Sequence, residues 1–347
     1  MASLRRSASE ARPNPRLVDV ARRAGVSTAS VSRTLNAPQK VSPDLRARIQ
    51  AALAKLRYVP NGAARALASR RSFTIGAVVP TLSNSIFGAG VASLQQELER
   101  HGYTVLVGNS HYDVAAELRQ IRTLVERGVD GLVLVGQKHH REAYALIRKL
   151  RVPYVNTYMA AKGSLHPCVG FDQRAAAQQL AEHLVKLGHR RFGLITYPYD
   201  KNDRISARVR GFHDGLAAHG LSFAADHVIE TPYSLNDGRA GLRRLLQVDP
   251  EITAVMCTTD LHATGVLIEA RAQGLNVPGR LSVTGFDDLE GSLHLDPPLT
   301  TVHLSAPELG ARAANYLVAR LSGKSPPKVT ILDAKLMIRG STGPAPK

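Results

Sequence analysis

The sequence predicts a small all-α helix-turn-helix head followed by an α/β region of two lobes built on parallel sheets. Three observations predict it. Residues 17–56 place apolar side chains at helical spacing. From Phe73 onward, short β-branched runs alternate with amphipathic helical patterns, as parallel sheets covered on both faces require. Those runs fall into two successive series, one lobe each. At 347 residues the chain is long enough for two or three compact units and a sizeable core.

Leu17, Val20, Ala21 and Ala24 give one helix an apolar face, Gly25 sits where the chain must reverse, and Val26 follows as a buried pin. Ser27 supplies an N-cap oxygen for a second helix running to about Leu35, with Val31 and Leu35 facing inward. Thr28, Ala29, Ser32 and Arg33 are left partly outward, short enough for the helix to sink into a major groove. On pattern alone, an ordinary helical hairpin in a larger core competes with that reading. Charge decides against it: residues 1–72 hold 15 Lys and Arg against 3 Asp and Glu, +12 of the chain's +17. So basic a hairpin points to a DNA reader.

After a loop at 37–40, Ser42 fits an N-cap and Pro43 a first helical residue of a third helix. Its stripe Leu45, Ile49, Ala52, Leu53 and Leu56 closes a three-helix core. Arg46, Arg48, Lys55 and Arg57 are expected on solvated faces, while Arg33 and Lys40 are better placed for phosphate. Pro60 ends the unit by biasing Val59 away from helix. Residues 61–69 are alanine-rich, with good helix propensity in a segment too short to be stable alone. The organisation is therefore a basic disordered tail at 1–15, a DNA-binding head at 16–60, a hinge and linker at 61–72, and a two-lobed region at 73–347.

In that region the first series pairs Thr74–Val79 with Phe87–His101, Thr104–Val107 with Val114–Arg127, and Gly131–Val135 with Glu142–Leu150. The second runs Arg191–Thr196, Ala207–His219, Ala254–Thr258, Ala263–Gln273 and Leu281–Thr284. Open α/β sheets place ligands at the carboxyl ends of their strands. Aromatic residues are 5% of the chain and Trp is absent, so ligand stacking is expected to use few residues. Cys168 and Cys257 form no framework and no metal spacing, and read as buried thiols in a reducing cytoplasm. No apolar run spans a bilayer, and the N-terminal MASLRRSASEARPNPR lacks the core of a secretory signal. A cytoplasmic protein with no membrane partner is expected. His139, His140 and Arg141 lack a third ligand at metal spacing and read as a solvated loop. No phosphate-cradling loop, nucleophile elbow or carboxylate pair stands out, so no enzyme, metal or cofactor is expected.

The run RLVDVARRAGVSTASVSRTLN and the stretch from VSPDLRARIQ to IGAVVP resemble the head of the lactose-repressor/galactose-repressor family of bacterial regulators. RGVDGLVLVG, VGFDQRAAAQQLAEHLVKLGHRRFGLI, ARVRGFHDGL, CTTDLHATGVL, VPGRLSVTGFDDLE and PPLTTVHL continue it over residues 16–340. The resemblance implies a periplasmic-binding-protein-like effector region crossing between lobes near Phe171–Asp172, His303–Leu304 and Leu332–Asp333. Lobe 1 then takes about 73–171 and 304–332, and lobe 2 about 172–303 and 333–347. It further implies a hinge helix that folds in the minor groove when two copies meet there, with Leu67 as apolar wedge, Arg65, Arg70 and Arg71 supplying positive charge beside it, and Asn61 at the start of the segment among the DNA-binding residues.

By the same resemblance, Arg208 grips effector and Asp287 accepts from ligand hydroxyls or amines. Asn84 can donate and accept at a strand end. Phe87 is either a face for a sugar ring or a lobe-core aromatic; Asp260 is either a polar contact or, by preference, a helix N-cap. Lys201 and Arg204 would favour an acidic sugar such as gluconate unless Asp200 and Asp203 neutralise them. The expected function is a regulator, repressing by default, that binds a pseudo-palindromic double-stranded operator as a homodimer under control of a sugar or sugar acid. Whether the effector releases or promotes DNA binding stays open. A sugar-sensing binding protein without a DNA role and a non-specific DNA binder without effector are the alternatives. No tetramer-forming helix is evident in Gly340–Lys347, so a dimer is the simpler expectation.

Overall fold

The computed structural model describes residues 15–36, 38–60, 71–200 and 202–347. Asn61, Arg65 and Leu67 of the expected hinge, the tail before Pro15 and Lys201 lie outside the described residues. Two units divide the chain, residues 1–72 and 73–347.

In the first unit α1 (Leu17–Ala24) ends on Gly25, whose φ of 64° is left-handed and needs no Cβ to be accommodated. The Val26 amide then bonds back to the Ala21 carbonyl at 3.0 Å, closing the turn. Ser27 caps α2 (Thr28–Asn36) by accepting from the Ser30 amide at 3.1 Å. Val20, Ala21, Ala24 and Val31 pack on Ile49 and Ala52 of α3 (Pro43–Leu56), with Leu35, Leu45, Leu53 and Leu56 at the margin. Two expectations are corrected. Ser42 stands at the N-cap of α3 but its side chain makes no capping bond, leaving Pro43 to set the start. Arg48 is not merely solvated: its guanidinium donates to the Ala24 carbonyl at 2.7 Å, satisfying an end of α1 that has no intrahelical partner.

In the second unit, β1 (Thr74–Val79), β2 (Thr104–Asn109), β3 (Gly131–Val135), β4 (Tyr154–Met159) and β5 (Cys168–Phe171) join β11 (Val329–Leu332) in one sheet ordered β2-β1-β3-β4-β5-β11. Every pairing in it is parallel. A second parallel sheet is ordered β7 (Val228–Glu230), β6 (Phe192–Thr196), β8 (Ala254–Cys257), β9 (Ser282–Thr284). β10 (Thr301–Leu304) and β12 (Ala334–Met337) pair antiparallel apart from both.

Helices cover both sheets. The first carries α4 (Ser85–Glu99), α5 (Val114–Glu126), α6 (Arg141–Leu150) and α11 (Ala306–Leu321); α9 (Leu235–Val248) and α10 (Asp260–Ala272) pack on the second, while α7 (Gln173–Lys186) and α8 (Asp203–Ala217) pack on each other, α7 also against β10 and β12. β3 and β8 are buried along their whole length, which explains their uninterrupted apolar runs. Both cysteines are buried free thiols, and burial pushes both up from their ordinary values. Among the described residues no helix is long and apolar enough to cross a membrane.

Candidate functional site

The head presents α2. Thr28, Ala29 and Arg33 are exposed on it and Ser32 is half-buried, while Val31 is fully buried and Thr34 turns its hydroxyl back to the Ser30 carbonyl at 2.9 Å. The helix is thus anchored by one face and offers short side chains on the other, the geometry a major groove admits.

The second unit forms a cleft where strand ends of both sheets converge. Asn84, Phe87, Arg208 and Asp287 all line it. Asn84 follows β1, is buried, and caps α4 by accepting from the Ile86 amide at 3.2 Å. Phe87, one turn on, meets Tyr158 edge to face at 5.1 Å, so it is both core aromatic and cleft wall.

Arg208 enters from α8 with 5% of its surface exposed. Its Nε donates to Gln173 Oε1 at 2.8 Å, Nη1 to the Thr258 carbonyl at 2.6 Å and Nη2 to Asp287 Oδ1 at 2.8 Å. The guanidinium lies 3.9 Å over the ring centroid of Phe286. Asp287 follows β9 with φ of 116°, a backbone region that favours glycine. Burial pushes its carboxyl up to about 6, outweighing the downward pull of Arg208.

Asp260 does not join them. Thr259 caps α10, and Asp260 is the first residue within that helix. Its Oδ2 accepts from the Leu289 amide at 2.8 Å and Ser292 Oγ at 2.6 Å, and its Oδ1 from Thr301 Oγ1 at 2.5 Å. Three protein donors hold its carboxylate, so Asp260 braces the segment from Leu289 to Thr301; it is neither the cap of α10 nor among the residues lining the cleft.

Aromatic residues also line the cleft, although they are only 5% of the chain. Tyr112, Tyr158, Tyr197 and Tyr233 join Phe87 around the cleft, together with Asn202, Arg204 and Thr259. The sequence carried a signal for three of these tyrosines, since Tyr112, Tyr197 and Tyr233 follow β2, β6 and β7 within three residues. Burial holds the Tyr112 hydroxyl up at about 12 and raises those of Tyr158 and Tyr233, so each stays protonated at neutral pH. Arg204 is neutralised by Asp203 at 2.9 Å and donates to the Val135 carbonyl at 3.3 Å. Asp203 in turn accepts from the Gln137 and Lys138 amides at 2.5 and 3.2 Å.

His139 is no solvated loop residue either. Its side chain is buried, with Nδ1 at 2.7 Å from Glu117 Oε1 and Nε2 at 3.0 Å from the Gly136 carbonyl oxygen, and His140 caps α6. Among the described residues, no group of three or more His, Cys, Asp or Glu could hold a metal ion.

A helix-turn-helix head joined in one chain to a two-lobed parallel α/β unit defines the architecture of a DNA-binding transcription regulator. Comparison with known proteins agrees. Residues 16–61 match the lacI family of bacterial regulatory proteins and residues 181–342 the periplasmic binding protein-like domain. The HTH-type transcriptional repressor CytR of Escherichia coli K12 is 31% identical over 329 residues, 94% of this chain and 96% of that one. The HTH-type transcriptional regulator GntR of Pseudomonas aeruginosa is 35% identical over 331 residues, at 94% and 96% coverage. A crystal structure of the lac repressor dimer bound to operator and the anti-inducer ONPF superposes with a TM-score of 0.86 at 27% identity, covering 95% of this chain and 99% of that one. The chain belongs to the lacI family and is a DNA-binding transcriptional repressor. These relatives are transcriptional regulators, not enzymes.

Proposed function

We propose that this repressor binds a pseudo-palindromic operator as a homodimer and is controlled by a small sugar or sugar acid, gluconate being the type case, held in the cleft. The observation that carries the effector reading is the cleft's chemistry: the Arg208–Asp287 pair and Asn84 set among aromatic faces, at strand carboxyl ends. Aromatic faces suit the C–H faces of a sugar, and the polar groups suit its hydroxyls. Asn84, Phe87, Arg208 and Asp287 are assigned to the effector, with Tyr112, Tyr197 and Tyr233 added. Thr28, Ala29, Ser32 and Arg33 are assigned to the major groove; Asn61, Arg65 and Leu67, outside the described residues, to the minor groove.

Two lines support the dimer. One head offers too few base contacts for a specific site, and two-fold symmetry doubles them. β2 is an edge strand exposing Leu106 and Val107, an edge that a second copy would cover. The lobe limits that go with this reading are about 73–171 with 304–332 and 172–303 with 333–347.

Both cleft guanidiniums already carry carboxylate partners, so an acidic effector competes with Asp287 for Arg208. Gluconate binding should therefore tighten as pH falls through about 6 and Asp287 takes up a proton. A neutral sugar should show no such gain, and titration calorimetry from pH 5 to 8 separates the two.

The test of the whole reading is selection of sheared genomic fragments by the purified protein, with and without gluconate and a panel of neutral sugars. A shared inverted repeat whose recovery changes with one of these ligands is the expected result. Fragments without a common motif, held only at low salt and indifferent to every ligand, would overturn it.

A further inference from the structure

Asp287 and Asp288 are consecutive, and both have positive φ, 116° and 52°. A side chain with a β-carbon is strained on that backbone, so the bend persists only because contacts over-determine it. The contacts of the two carboxylates run in opposite directions. Asp287 faces the cleft and Arg208. Asp288 faces away: its Oδ2 is 2.9 Å from His303 Nδ1 on β10, and its Oδ1 is 2.7 Å from Arg339 Nη2, two residues past β12.

Those strands form the antiparallel pair standing apart from both lobe sheets, where the chain passes between them. The backbone ties the bend to the same pair, since the Asp287 amide donates to the Val302 carbonyl at 3.0 Å and Asp287 bridges to His303. Arg339 is fixed as well, donating from Nη1 to the Leu299 carbonyl at 2.9 Å and from its amide to Thr300 Oγ1 at 2.9 Å. The Asp288 and Arg339 side chains are each 13% exposed, so the ion pair is little screened.

We infer that Asp288 is the positioning residue that couples the cleft to the strands joining the lobes. It is not among the residues that line the cleft. Whatever engages Asp287 or Arg208 must move the Asp287–Asp288 backbone, and Asp288 then passes that movement to β10 and β12 together. The inference rests on the effector reading only for what moves Asp287; the mechanical link itself can be measured without any ligand.

The experiment is hydrogen–deuterium exchange on the full-length protein, read at peptides covering 301–304, 334–337 and the cleft segment 203–212. Five forms are compared: wild type, Asp287→Asn, Asp288→Gly, the double variant of these two, and Asp288→Asn. Glycine accepts the φ of 52° without strain, so Asp288→Gly removes the clamp while easing the bend. Asp287→Asn alone should raise exchange about tenfold in the cleft segment and in both strands. Asp288→Gly alone should raise it in both strands, and adding Asp287→Asn should then change the cleft segment and, through the Asp287 backbone bonds, β10, but leave β12 (334–337) unchanged. Asp288→Asn, which tolerates the same backbone and keeps an acceptor, should restore part of the strand protection and guards against misfolding of the glycine variant.

Strand protection at wild-type level in Asp288→Gly, or an Asp287→Asn effect confined to the cleft, would overturn the inference. A ligand panel that protects nothing in the cleft would instead sink the effector reading and leave this link standing.

Discussion

The Arg208–Asp287 pair shows how geometry and energetics can point apart at a single residue. The 2.8 Å contact favours ionised Asp287, yet burial lifts its carboxyl to about 6, so desolvation outweighs the Coulomb attraction. The stability sign follows. Between the ordinary carboxylate value and about 6 the folded state holds a proton that the unfolded state has lost, so stability falls as pH rises through that window. Above it, the Arg208 pairing limits further loss. Arg208→Ala removes that limit and raises the Asp287 carboxyl further. Its destabilisation relative to wild type should therefore grow from pH 6 to pH 8 by up to about 1.4 kcal/mol per pH unit. Urea denaturation at three pH values measures this, and a penalty constant with pH would show that Arg208 acts by packing alone. Asp287→Asn should erase both this pH dependence and the tightening of gluconate binding below pH 6.

At the scale of elements, α2 depends on its first turn. Ser27 meets an amide that the helix itself cannot satisfy, and Ser27→Ala should cost about 1 kcal/mol. The first-unit transition should shift to lower denaturant in circular dichroism, while the near-ultraviolet signal of the tyrosine-rich second unit holds. These elements were legible in the sequence because each is local. Apolar spacing gives α1 to α3, Gly25 gives the turn, and the Val/Leu run at 131–135 can only be a buried strand or a short buried helix. In the cleft, Arg208 and Asp287 were legible through the motifs ARVRGF and TGFDD that carry the family resemblance. The cleft was not legible where partners converge from distant segments. Asp260 is taken from the cleft by Leu289, Ser292 and Thr301, 29 to 41 residues away. The aromatic wall likewise draws on tyrosines from four separate strand ends, which overall composition averages away.

At the scale of the whole molecule, charge distribution turns assembly into a measurable quantity. The unit Met1–Ser72 carries +12 of the chain's +17, so the electrostatics of DNA binding concentrate at the head. Each phosphate neutralised by a cation releases condensed counterions and contributes about −0.9 to the slope of log K against log salt on duplex DNA. Lys40 is exposed in the short turn Pro38–Lys40 between α2 and α3, placed for a backbone contact rather than a base edge. In a dimer with both heads on the operator, Lys40→Gln removes two such contacts. The slope should then become shallower by about 1.8, with base preference unchanged, whereas a single engaged head would give about 0.9. Fluorescence anisotropy on the selected operator over a range of potassium chloride concentrations supplies the slope. No change would take Lys40 off the phosphate backbone. A change near the single-head value, together with a monomer in sedimentation at the same concentrations, would count against two-fold operator recognition.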